Sequence, residues 1–168
     1  MTSLHRSALV FAALLVSVAP GPGRAQQHHM DMPQTKSAAP YHPGLGELMT
    51  AFVQPRHIKL GLAGNEQNWP YAAYELGELT ETFDDIAELV PKHDNLPIPE
   101  MIASTVKPPM AAFDAAIKAM DAAAFTKAFA DLTASCNACH QSADHPMIVI
   151  QVPTVSPFPD QDFRPPQK

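Results

Sequence analysis

Cysteine is nearly absent from this chain. Two in 168 residues cannot build the multi-bridge framework that small exported domains use in place of a large core. Basic side chains are also scarce, with 11 Lys and Arg against 17 Asp and Glu and a formal net charge of −6. That balance excludes nucleic acid as a partner, because a phosphate backbone calls for clustered cations. No apolar run approaches the ~20 residues needed to span a bilayer, so no stable membrane insertion is expected of the mature chain. There is no internal repeat. No acid–base pair and no nucleophile constellation is seen, so an independent enzyme is not expected. What is plentiful is apolar side chain, at 46%, too much for a wholly disordered chain and ordinary for one globular domain.

The first 25 residues have the pattern of a secretory signal peptide. Leu9 to Ala19 is an apolar run of 11 residues preceded by Arg6 and no acid, and Gly23-Arg24-Ala25 places small residues at −3 and −1 of a cleavage site. Cleavage there leaves nine basic against seventeen acidic side chains, a mature charge of −8. A periplasmic protein is expected. Residues 26–44, polar with three prolines and no periodicity, are expected to be a flexible leader. A mature chain beginning Gln26-Gln27-His28 would offer an amine, two amide nitrogens and an imidazole to square-planar Cu(II), against a plain unstructured tail.

Between residues 45 and 141 the apolar positions recur at helical spacing. The first segment, 45–64, puts Leu45, Met49, Phe52, Val53, His57 and Leu60 on one broad face. Pro55 is expected to kink or split it, and Gly61 and Gly64 to mark its end. Residues 67–90 carry Leu76, Leu79, Phe83, Ile86 and Val90 in alternating steps of three and four, closed by Pro91. A third segment, from about Pro99 to Met120, is expected to break at Pro108-Pro109. Asp121 is a good N-cap for a fourth, with Phe125, Phe129, Leu132 and Cys136 on one side. Four amphipathic segments with short links predict an all-α, antiparallel four-helix bundle. The proline-spaced residues 142–168 are expected to be an extended tail packing on it, covering Ile148, Ile150, Val152, Phe158 and Phe163.

The two cysteines stand together in Cys136-Asn137-Ala138-Cys139-His140. CxxCH is the attachment sequence for haem c. Positions i, i+3 and i+4 share one helix face, so both thiols can form thioethers with the haem vinyl groups while His140 is directed at the iron as proximal ligand. Three other readings compete. A thioredoxin-like pair would need a helix that begins at the motif, whereas this one ends there. A zinc site of Cys136, Cys139, His140 and His145 has adjacent ligands that suit a tetrahedral ion poorly. A Cys136–Cys139 disulfide closes a tiny loop.

Four helical segments with CxxCH near the end of the last resemble the cytochrome c′ group, the class II c-type cytochromes. The resemblance covers 45–141 as a pattern and ASCNACH at motif level. The stretches RHIKL (56–60), NWPYAAYEL (68–76) and FPDQDF (158–163) are similar to those of a group of short secreted bacterial cytochromes. The resemblance implies one covalent haem c inside one end of the bundle, and a sixth iron position that is open or filled from the first helix. It also implies an electron carrier serving periplasmic redox partner proteins, in a group where homodimers through the first two helices are common.

Up-down-up-down topology brings the start of the first helix to the motif end, so the distal candidates are His57 and Met49. On a straight α-helix they lie about 80° apart. His/His ligation gives a lower potential than His/Met, and an open site admits NO or CO. The alternatives to an electron carrier are therefore a five-coordinate gas binder or sensor and a non-haem helical interaction module. Trp69, Tyr71, Tyr74 and Phe83 are either pocket lining or core. Arg56 and Lys59 either pair with propionates or are solvated, and His93 and His145 belong to surface loops.

Overall fold

A computed structural model describes residues 41–167; the expected signal peptide and the Gln26-Gln27-His28 leader lie outside them. Four helices pack against one another: α1 (45–65), α2 (Trp69–Leu89), α3 (98–119) and α4 (Ala122–Ser142). The fold is an all-α four-helix bundle. Between α2 and α3 lies a two-residue ladder, β1 (Lys92–His93) antiparallel to β2 (Leu96–Pro97), turned at Asp94 with φ 53°.

The helices begin where the local chemistry says they should. Asp121 accepts hydrogen bonds from the backbone N–H groups of Ala123 and Ala124 at 2.9 and 3.0 Å, satisfying two donors that α4 leaves open. Asn68 caps α2 through the Tyr71 N–H. The core is a stack of aromatic rings. Phe113 of α3 meets Phe125 and Phe129 of α4 edge-on, at centroid distances of 5.1 and 5.7 Å, the arrangement that ring quadrupoles favour. Leu60 of α1, Leu79 and Ile86 of α2 and Leu132 of α4 close it, all fully buried.

Neither proline site interrupts its helix, and the reason is shared. Helical hydrogen bonding continues through Pro55, so α1 is not split, and through Pro108-Pro109, so α3 is not broken. Each is preceded by one wide turn, Met49–Val53 and Ile102–Val106, in which bonds run from i to i+5. The Gln54 N–H reaches back to the Met49 carbonyl, and the Lys107 N–H to that of Ile102. A proline lacks the N–H and clashes with the carbonyl four residues back. The wide turn supplies a register in which that bond is not needed, so both helices run through. Gly64 marks the end of α1, which closes one residue later at Asn65, while Gly61 lies within it. Both let α4 come close. A Cβ on Gly64 would stand 2.0 Å from Cζ of Phe125, and one on Gly61 2.6 Å from Cζ of Phe129.

The chain after residue 143 has no regular structure and lies along the bundle. Asn68 donates its amide to the carbonyls of Phe163 and Arg164 at 3.2 and 3.1 Å. Phe163 is buried and stacks on Tyr71, 5.6 Å away with planes 5° apart. Lys59 Nζ sits 5.0 Å over the Phe158 ring. The tail covers less than expected: Ile148 and Val152 remain 45% and 47% exposed.

Candidate functional site

α1 and α4 are antiparallel neighbours with a register that can be read directly. Gly64 meets Phe125, Gly61 meets Phe129 and His57 meets Thr133. The start of α1, the end of α2, the start of α3 and the end of α4 therefore share one end of the bundle. CxxCH is at that end, inside the last two turns of α4. Both wide turns lie at the same end, where insertions of this kind are often found near functional sites.

Cys136, Cys139 and His140 fall on one face of α4. Both thiols are free and half-buried. Burial pushes the Cys136 thiol up to about 11, with the neighbouring Cys139 adding to it, and burial raises Cys139 too. They also sit near the carbonyl end of their helix, where the dipole opposes a thiolate. Redox-active pairs have the opposite arrangement, with the thiolate stabilised at a helix N-terminus.

His140 is held by the tail. After Ser142 the chain turns back on itself, with Asp144 at φ 60° and the His145 N–H on the His140 carbonyl at 2.8 Å. The carbonyl of Ile148 then comes within 3.0 Å of His140 Nδ1. A carbonyl only accepts, so Nδ1 carries a proton, and in the neutral form of the ring the lone pair is on Nε2. Next to it, Asn137 grips Ile150 twice. Its amide nitrogen donates to the Ile150 carbonyl at 2.9 Å, and its oxygen accepts the Ile150 N–H at 2.7 Å.

His57 is built in differently. It is 4% exposed, 4.6 Å from the Phe129 ring, with Nε2 3.1 Å from Thr133 Oγ1. Thr133 spends its one hydroxyl proton on the Phe129 carbonyl at 2.8 Å, so it accepts from His57, whose Nε2 holds the proton. Burial lowers the His57 pKa to about 4. Met49 is half-buried against the core. Continuing the α1–α4 register by eight residues, one of them taken up by the wide turn, gives ~10 Å of rise and puts Met49 level with about residue 140, whereas His57 lies level with Thr133.

The other sequence candidates separate by position. Trp69 packs edge-on against Phe125 at 5.9 Å, at the bundle end opposite the motif. Phe83 is core and Tyr74 is 59% exposed. Arg56 pairs with Glu78 at 2.9 Å, and Lys59 covers Phe158 as described. His93 and His145 come together, with ring centroids 6.5 Å apart, but among the described residues no three His, Cys, Asp or Glu side chains gather closely enough to hold a metal ion. The four-ligand zinc arrangement is therefore not formed. Sequence spacing missed Asn137 and Thr133, which act through partners far along the chain. A reciprocal asparagine–backbone pair leaves no periodic signal.

No helix among the described residues is long and apolar enough to cross a membrane. The chain matches no family model, no curated protein and no solved structure.

The donor set fits a covalent c-type haem: two free thiols and an imidazole on one helix face, with Nδ1 occupied by a carbonyl and Nε2 left with a lone pair. Metal-bound histidines commonly give their second ring N–H to such a carbonyl.

Proposed function

We propose that this protein is an exported c-type cytochrome that carries single electrons between periplasmic redox proteins, with haem c attached at Cys136 and Cys139 and His140 as proximal ligand. The observation that carries the reading is CxxCH on one face of α4 with His140 Nδ1 given to Ile148. Each thiol would add across a vinyl double bond, forming a C–S bond and passing its hydrogen to the neighbouring carbon, with no oxidant required. Bound haem c would supply an Fe(III)/Fe(II) couple. The remaining work belongs to the chain: α4 sets the thiol spacing, the Ile148 carbonyl orients the imidazole, and the bundle end limits water.

Of the two distal candidates the register favours Met49. His57 lies about two turns deeper and would have to give up Thr133 to offer Nε2. If neither Met49 nor His57 ligates, the distal position is open and the gas-binding reading replaces the electron carrier.

One preparation tests this. Protein made with haem-attachment machinery should keep haem through a denaturing gel, and Cys136→Ala/Cys139→Ala should lose the stain. A double variant that stains equally sinks the proposal. A ferrous spectrum that CO leaves unchanged supports a closed iron. Met49→Leu should then open it to CO while His57→Ala does not, and the reverse result would assign His57.

A further inference from the structure

The contacts between the tail and the motif helix point to a role for a residue inside the motif that attachment itself does not require. Asn137 occupies one of the two open positions of CxxCH. Its side chain makes two hydrogen bonds, 2.9 and 2.7 Å, to the carbonyl and N–H of Ile150. Two residues earlier in the same strap, the Ile148 carbonyl accepts from His140 Nδ1 at 3.0 Å. The strap is otherwise weakly held here. Met147, Ile148 and Val149 are 74%, 45% and 64% exposed, and the one local backbone bond to it is Ile148 N–H to the His145 carbonyl at 3.0 Å.

We infer that Asn137 is a positioning residue: by clamping Ile150 it holds the Ile148 carbonyl over His140 Nδ1 and so decides which ring nitrogen is free to bind iron. This inference rests on the haem reading for its use, but not for its geometry. An imidazole in water has either nitrogen protonated, and a ligand in the wrong tautomer must shed a proton to bind. The strap removes that ambiguity beforehand. It also makes the ligand more basic, because a donated Nδ1–H gives the ring partial anionic character, which favours Fe(III) over Fe(II).

The test uses the full chain in two forms. In protein made without haem, nitrogen NMR of His140 should show the Nδ1–H tautomer. In Asn137→Ala the Nε2–H tautomer should become the major one, and the Ile150 amide should exchange at least tenfold faster. In haem-loaded protein the same substitution should cost about tenfold in ferric preference, a rise of ~59 mV for a one-electron couple. Asn137→Asp, which still accepts from the Ile150 N–H but donates nothing to its carbonyl, should fall between; it also serves if the alanine variant does not fold. Faster Ile150 exchange with an unchanged tautomer and potential would make Asn137 a mere tail anchor and overturn the inference. Wild-type protein that takes no haem would instead remove the cytochrome reading, while the tautomer measurement on the haem-free chain still decides the role of Asn137.

Discussion

His57 is a neutral base enclosed by Phe129 and Thr133, and its protonation state ties folding to pH. In the unfolded chain it takes up a proton near its ordinary value of 6.5, but in the core only near 4. Between those values the unfolded state binds more protons, so stability rises with pH through this window and is lost on acidification. The displacement corresponds to on the order of 3 kcal/mol by pH 4. His57→Gln keeps a donor for Thr133 and cannot titrate. Its urea midpoint, followed from pH 7 to 4, should fall much less steeply than that of the wild type, and parallel curves would mean that His57 binds a proton as readily in the core as in the unfolded chain. At this scale the motif residues and the Asp121 cap were readable, because their chemistry is spelled out within five residues. The Asn137–Ile150 and His57–Thr133 pairs were not. Thirteen and 76 residues separate their members, and nothing local marks a partner.

Helix α1 shows how an element can obey the sequence pattern and defeat its punctuation. Proline and glycine usually interrupt or end a helix, yet Pro55 and Gly61 lie inside a running one, and Gly64 in its last turn also lets α4 come close. A trace of the wide turns exists in the sequence. Ile98, Ile102, Val106 and Met110 are buried at steps of four throughout, a spacing that drifts off the face of a 3.6-residue helix unless a turn is widened. For the glycines the alternative is testable by contrast. Gly77 in α2 has nothing within 4 Å of where a Cβ would stand, so Gly77→Ala should stabilise by about 0.5–1 kcal/mol from helix propensity alone. Gly64→Ala has the same gain but drives a methyl into the Phe125 ring, and overpacking of about 1–3 kcal/mol should outweigh it. Thermal melts of the two variants should move in opposite directions. If both rise, α1 and α4 are not in the close contact described.

Across the whole molecule the tail is fastened at both ends of the bundle by an asparagine, Asn137 near the motif and Asn68 at the far end. The bundle was legible from periodicity; the path of the tail was not, because an extended segment reveals which side chains are apolar but not what lies beneath them. Phe163 is the apolar anchor of the far end. Phe163→Ala should cost about 3 kcal/mol, as for other buried phenylalanines, and should speed protease cleavage within 151–168 while leaving 45–142 protected. A wild-type urea midpoint in that variant would mean that the tail adds nothing to the bundle. The wide turn at 49–53 also acts at a distance, on direction. A straight helix would leave Met49 about 80° from His57, but an i→i+5 turn holds one residue more and sets the chain back by about 100°. Met49 then comes within about 20° of the bearing of His57, toward α4. Pro55, by calling for that turn, sets the compass heading of a side chain six residues away.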